Sequence, residues 1–337
     1  MKRYPWQEQD WQTLTQSFNQ RPNAWLFYGQ PGIGKEAFAK NLAAALLCQH
    51  PLSDQSACMH CNSCHWFQIA HHPDFYEVTP FSEQDEADAK PSAVKKLPLI
   101  KIESILRIRH FAALSSHQAA LRIVLITPTE AMTIAAANAL LKILEEPPPS
   151  LLFLLVSHHK ARVLPTIRSR CRPILLTAPT PKQALDWLKT QKINNPEQWL
   201  ALRGGSPLLT DEAQYLALWE QSIVTLVRPT ILAIFTLTEA IEQQKVPLFI
   251  VLGWLEKWLL DVAYLQNTSH ARFYQHQLST LQSLAQQINR QALWVCYDRI
   301  KRVQAGAFQA LNTRLQIEAI LMDYRQLFAR KMTHEAR

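Results

Sequence analysis

Cys48-x9-Cys58-x2-Cys61-x2-Cys64 gathers four of the six cysteines within seventeen residues. Four thiolates suit a tetrahedral Zn2+, with Zn–S bonds of ~2.3 Å. The two-residue spacings let the last three turn around one ion, and Cys48, at the expected end of a helix, supplies the fourth sulfur. Four sulfurs leave no open position for water or substrate, so such a site is structural and clamps an excursion over about residues 48–64. The alternative is four ordinary cysteines, with Cys48 a core residue. His60, His65, His71 and His72 lie nearby. Four thiolates suffice without them, and they read as surface histidines. Cys296 reads as core.

Gly29-Gln30-Pro31-Gly32-Ile33-Gly34-Lys35-Glu36 has the form of a phosphate-binding loop. In such a loop successive amides and a helix N-terminus face the phosphates, and the lysine reaches the outer ones. Gly29, Gly32, Gly34 and Lys35 meet that need. The next residue is ordinarily Ser or Thr, whose hydroxyl ligates Mg2+. Glu36 cannot reproduce that contact and places negative charge beside the phosphates. A carboxylate pair is also expected at the end of a neighbouring strand, but Ile123–Ile126 is followed by Thr127-Pro128-Thr129-Glu130. Glu130 lies past the strand end and is a poor substitute. Phosphoryl transfer depends almost wholly on positioning and charge stabilisation, so hydrolysis is expected to fail here. Binding of ATP without hydrolysis and an empty loop both stay open as readings.

The elements that must position these residues follow from periodicity. Residues 24–28, Ala-Trp-Leu-Phe-Tyr, form a short apolar run that predicts a buried strand, and Ala37, Phe38, Leu42, Ala45 and Leu46 recur at helical spacing up to about Cys48. Further strands are predicted at 75–78, 122–126 and 151–156. Ile102, Ile105, Ile108 and Phe111 share one helical face, and residues 135–146 form an Ala- and Leu-rich helix stopped by Pro147-Pro148-Pro149. Strands alternating with helices predict an α/β domain, a parallel sheet covered on both faces. After Arg172 the pattern changes. Asn195-Pro196-Glu197-Gln198 predicts a helix start with Asn195 as its cap, and that helix ends at Gly204-Gly205. From about 211 onward helical stripes dominate, among them Val251, Leu255, Trp258, Leu259, Val262 and Leu265, and Ile317, Ile320, Leu321, Tyr324, Leu327 and Phe328. Such stripes are helix-packing core. Three regions are expected: 1–166, the α/β domain with its inserted metal module; 167–208, a small helical segment; and 209–337, an all-α domain.

The 337-residue chain carries 35 basic and 27 acidic residues, net +8. That balance permits contact with nucleic acid without establishing it. The densest basic set, Lys90, Lys95, Lys96, Lys101, Arg107 and Arg109, follows the acidic run Glu83, Asp85, Glu86 and Asp88, and both read as a solvated loop. No window is apolar over ~18 residues, which excludes a membrane-spanning helix. Met1-Lys2-Arg3-Tyr4-Pro5-Trp6 lacks the apolar core of a secretory signal, so a cytoplasmic location is expected. There, clustered cysteines suggest metal before disulfides.

Asn138-Ala139-Leu140-Leu141-Lys142-Ile143-Leu144-Glu145-Glu146-Pro147-Pro148 resembles the signature helix of bacterial clamp-loader subunits of the AAA+ class. Ser169-Arg170-Cys171 resembles that family's Ser-Arg-Cys motif. The four cysteines sit where the family keeps its zinc module, His72-Pro73-Asp74 also matches, and Asn312-x-x-Leu315 resembles the C-terminal pattern. The resemblance implies an AAA+ P-loop domain, a lid over 167–208 and a collar domain beyond. It implies structural Zn2+ on Cys48, Cys58, Cys61 and Cys64. Thr127 and Pro128 occupy positions where an ATP-hydrolysing member carries Asp and Glu, and Leu208 falls where it carries a phosphate-sensing arginine. Ser157 matches the other sensor. These departures imply a subunit without turnover rather than one of the tau/gamma type, although retained Lys35 keeps nucleotide binding in play. Arg170 then becomes an arginine finger acting in trans on ATP held by a neighbour, with Arg168 its nearest rival. The implied partners are tau/gamma and delta subunits and, through the complex, a sliding clamp and primed DNA. Two other readings compete: an active ATPase using Glu36 or Glu130, and a zinc-containing nucleic-acid-binding module.

Overall fold

The computed structural model describes residues 3–16, 18, 21–80, 99–113, 121–148, 150–158, 160–191, 193, 195–208, 215–306 and 313–329. The chain divides into two compact units, one of Met1–Ser92 with Leu97–Gln183, the other of Ala93–Lys96 with Ala184–Arg337. Glu83, Asp85, Glu86, Asp88, Lys90, Lys95, Lys96 and Asn312 lie outside the described residues.

The first unit is built on β1 (Ala24–Tyr28), β2 (Phe75–Val78), β3 (Arg122–Ile126), β4 (Leu151–Ser157) and β5 (Arg172–Leu175). They form one parallel sheet in the order β2-β3-β4-β1-β5. Side chains alternate across a strand, so the central strands β1, β3 and β4 each feed two cores. Trp25 and Phe27, Ile123 and Leu125, and Leu152, Leu154 and Val156 enter one cluster. Leu26, Val124, Ile126, Phe153 and Leu155 enter the other. Two buried faces explain the unbroken apolar runs.

The flanking helices of this unit are α1 (Glu8–Thr15), α2 (Lys35–Leu47), α3 (Asn62–Gln68), α4 (Ile102–Ala113), α5 (Ile134–Glu145) and α6 (Pro165–Arg168). α1 buries Trp11 and Leu14, and α2 buries Phe38, Ala39 and Leu42, in the first cluster. α4 buries Ile105 and Ile108, and α5 buries Ala136, Leu140 and Leu144, in the second. The Thr133 hydroxyl caps α5 by accepting from the Ala136 amide.

Helix α7 (Pro181–Thr190) begins in the first unit and runs into the second. The remaining elements of the second unit are α8 (Pro196–Leu202), α9 (Leu216–Val227), α10 (Ile231–Gln243), α11 (Leu248–Leu265), α12 (Leu278–Gln287), α13 (Arg290–Gly306) and α14 (Thr313–Ala329). The expected stripes are its core: Val251, Leu255, Trp258, Leu259 and Val262 of α11 meet Ile317, Ile320, Leu321 and Tyr324 of α14 in one cluster. The Trp258 indole donates to the Tyr324 hydroxyl at 2.9 Å, and that hydroxyl donates to the Leu226 carbonyl at 2.9 Å, so both buried polar groups are satisfied. α8 starts where expected, but Asn195 does not cap it. Its backbone is left-handed (φ 51°, ψ 55°) and its side chain makes no cap hydrogen bond. No described helix is long and apolar enough to cross a membrane.

Candidate metal centre and phosphate loop

Cys48 follows the last residue of α2, and Cys61 stands immediately before α3, with Cys64 in its first turn. The four sulfurs all lie within 4.8 Å of one another. Cys48–Cys61 and Cys58–Cys64 are each 3.9 Å apart, and Cys48–Cys64 is 3.6 Å. A tetrahedral Zn2+ with ~2.3 Å bonds requires sulfur separations of about 3.8 Å. The cluster therefore fits such an ion, and its four cysteines are free thiols rather than disulfides. Backbone amides favour the anion at Cys58 and Cys61, whereas burial raises the thiols of Cys48 and Cys64. Amides of His60 and Cys61 pull the Cys58 thiol down to about 6. Burial would raise Cys61, but amides of Cys64 and Gln49 outweigh it and lower that thiol.

His60, His65 and His71 are exposed, as expected, but His72 is not: it is buried and ties the module to the sheet. Ser63 donates its hydroxyl proton to the Leu47 carbonyl at 2.6 Å, leaving its lone pairs for the His72 ring at 2.9 Å. His72 Nδ1 accepts from the Asp74 amide at 3.0 Å, which assigns the ring proton to Nε2. Burial lowers the His72 pKa, consistent with a neutral ring. The chain of bonds joins the end of α2, α3 and the approach to β2. Asp74, fully buried, faces the buried Arg122 guanidinium of β3 at 3.6 Å.

The phosphate loop leaves β1 and enters α2 at the carboxyl ends of the parallel strands, where open α/β sheets place their ligands. Gly29, Gly32 and Gly34 have φ of 151°, 72° and 84°. At Gly34 a side chain would be strained and would meet the Tyr4 ring. Lys35, 2% exposed, turns its ammonium onto the loop's own carbonyls, Gly29 O at 2.9 Å and Gln30 O at 2.7 Å. Burial pulls its pKa down to about 8, with the negative charge of Glu130 opposing that shift. From behind, Trp6 Nε1 donates to the Ile33 carbonyl at 2.9 Å, and Gln7 Nε2 donates to Ile33 O and Gly34 O at 3.0 Å. Sequence reasoning missed this N-terminal brace, whose indole and amide carry no motif.

Both acidic groups considered for metal have partners in the fold, although Glu130 Oε2 makes no hydrogen bond. Glu36 runs down α2 to Lys40 at 2.8 Å, and Lys40 also holds Glu77 of β2 at 2.8 Å. Burial would lower Lys40, but its bonds to Glu36 and Glu77 outweigh it and raise its pKa. Glu130 accepts from the His158 amide at 2.8 Å. Thr127, buried, and Pro128 end β3 without a carboxylate. Ser157, also buried, ends β4. Leu208 lies in the second unit. Among the described residues, no group of three or more His, Cys, Asp or Glu side chains gathers at the loop.

Arg170 is exposed between two anchors, Ile167 and Cys171, both buried in the second sheet cluster. Its guanidinium donates to Glu145 Oε1 at 2.5 Å and to the Thr166 carbonyl at 3.0 Å. Arg168 is half-buried. Burial pushes the Cys171 thiol up to about 12, so it is no nucleophile at neutral pH.

These features define a class: a parallel α/β domain with a phosphate loop and a four-thiol cluster, joined to an all-helical unit. Comparison with known proteins narrows it. Residues 6–180 match the family model described as DNA polymerase III, delta subunit. A Pseudomonas aeruginosa protein named DNA polymerase III subunit delta' is 35% identical over 272 residues, covering 79% of this chain and 78% of that protein. The Escherichia coli K12 protein of the same name is 34% identical over 212 residues, covering 61% of this chain and 59% of its own length. The chain belongs to this DNA polymerase III delta' family. A Thermotoga maritima protein described as DNA polymerase III, gamma subunit-related, shares the fold at a TM-score of 0.51 with 18% identity, covering 94% of this chain and 99% of that one.

Proposed function

We propose that the chain is a clamp-loader subunit that hydrolyses no nucleotide itself and completes the ATPase site of a neighbouring subunit with Arg170. Family membership supports the clamp-loader role. The observation that carries the absence of turnover is the engagement of Glu36 by Lys40 at the position that should present a magnesium-ligating hydroxyl. Gly29, Gly32, Gly34 and Lys35 keep a cradle that serves at most to bind ATP. Arg170 is suited to act in trans because it is exposed on an anchored loop, and a guanidinium brought to a γ-phosphate neutralises the charge that develops there.

In this reading residues 1–166 form the AAA+ domain, 167–208 its lid and 209–337 the collar through which the subunit assembles. Contacts with the delta and tau/gamma subunits let the complex open a sliding clamp on primed DNA. Zn2+ on the four cysteines holds the 48–64 excursion in shape and takes no part in chemistry. The test is reconstitution with the partner subunits. Arg170→Ala is expected to cost the assembled loader about 10^3-fold or more in DNA-stimulated hydrolysis at the completed site while assembly survives. ATP turnover by the isolated chain, abolished by Lys35→Ala, would overturn the proposal.

A further inference from the structure

The carboxylate of Glu145 is the partner of Arg170, and its position has no evident use to its own helix. Glu145 is the last residue of α5, where the negative end of the helix dipole disfavours an acid. It is 49% exposed, so it fills no core. Yet its geometry to Arg170 is fixed by the fold. Ile143 and Leu144, just before it, and Ile167 and Cys171, flanking Arg170, are buried in one hydrophobic cluster. The end of α5 and the Arg170 loop are thus held against each other by packing, whatever the two charges do. Pro147 and Pro148 end the helix at this point.

Resting on the reading of Arg170 as a trans-acting group, we infer that Glu145 is its positioning residue. A free arginine side chain samples many rotamers, and selecting one costs conformational entropy at the moment of reaction. Glu145 Oε1 takes an Nη2–H, and the Thr166 carbonyl takes an Nη1–H. These bonds hold the guanidinium from the protein side. Nη1 also reaches Ser169 Oγ at 3.5 Å, and the donors left over stay available to a phosphate arriving from a neighbour. The carboxylate also moderates the local positive charge. That loss of attraction is offset because the cation is already oriented when the γ-phosphate meets it.

An exposed, geometrically good pair is a modest interaction, which sets the size of the effect. In the reconstituted loader, Glu145→Gln keeps the side-chain shape and removes the charge. It is expected to lower kcat of DNA-stimulated hydrolysis about two- to fivefold with KM for ATP unchanged. Placed on the Arg170→Ala background, it is expected to cause no further loss, because it acts through that arginine. Unchanged or faster hydrolysis by Glu145→Gln, alongside a large loss in Arg170→Ala, overturns the positioning role and leaves the trans-acting reading intact. A Glu145→Gln loss that persists in full on the Arg170→Ala background also overturns it, since the effect is then structural. If Arg170→Ala is itself silent, both fall together.

Discussion

Cys64 is the sharpest place to test the metal centre, because it is buried and sits 3.6 Å from Cys48 and 3.9 Å from Cys58. Cys64→Ser substitutes a harder, shorter donor at a position only 3% exposed, where water has little room to replace the lost sulfur. Disturbing outer-shell partners of a metal ligand typically costs about 10–100-fold in affinity, so loss of a direct ligand should cost more than ~100-fold. The wild-type chain, purified without chelator, should carry one Zn2+ by elemental analysis and keep it against a chelator that strips Cys64→Ser. With free zinc at about 100 times its Kd, the folded state gains about 2.7 kcal/mol, so zinc should raise the wild-type melting temperature and leave the variant's unchanged. The sheet should survive metal removal, because Phe38, Leu42, Trp25 and Phe27 form a core that needs no thiolate. Faster amide exchange should therefore concentrate in residues 48–64. Full reduction with no bound metal in the wild type, or equal chelator resistance in Cys64→Ser, would refute the reasoning.

Two further perturbations address the phosphate loop. Gly34→Ala is expected to destabilise the chain by about 1–2 kcal/mol from its left-handed backbone alone, plus the displacement of Tyr4, read as a lower denaturant midpoint. Combining it with Tyr4→Ala should recover only the steric part. For Lys35, burial moves the folded pKa down from 10.5 to about 8. The buried ammonium therefore opposes folding in full below about pH 8, and that penalty is relieved as pH rises toward 10.5. Over that window the wild type should gain stability relative to Lys35→Met, and Glu130→Gln, which removes the opposing charge, should start the gain at lower pH. Parallel denaturation profiles across the window would show that Lys35 is not desolvated as its position indicates.

Legibility followed burial. β1, β2 and β3 have the bounds their apolar runs predict, and β4 extends one residue further, to Ser157. β1, β3 and β4 are central strands with two covered faces, where burial erases alternation and leaves unbroken hydrophobic sequence. β5 is an edge strand of mostly exposed residues, with Pro173 inside it, and proline is tolerated at just such an edge. Nothing in Arg172-Pro173-Ile174-Leu175 distinguishes it from a loop until β1 is there to pair with it. α3 was equally silent. Its seven residues, starting after Cys61 and including Cys64, form a helix because the Cys61 sulfur accepts from the Cys64 amide and Ser63 reaches back to Leu47.

The candidate sites divide the same way. Residue types and spacing sufficed for the four thiols, since x9, x2 and x2 are short enough to close around one ion whatever the rest of the chain does. They also located the phosphate loop. What no spacing supplied was the company each charge keeps. Glu36 and Lys40 are four apart, so their pairing was available to any helix. The sheet adds a second anion: β2 delivers Glu77 to the same ammonium, and Lys40 bridges both carboxylates. That bridge holds Glu36 against the side of its own helix, while the tie from α2 to the edge strand β2 is the Lys40–Glu77 pair. A substitution restoring Ser or Thr at 36 would therefore change two things at once, returning a metal-ligating hydroxyl and releasing one arm of Lys40. Position 36 reads as damage when only the motif is considered, because spacing does not show that Glu36 and Glu77 share one ammonium.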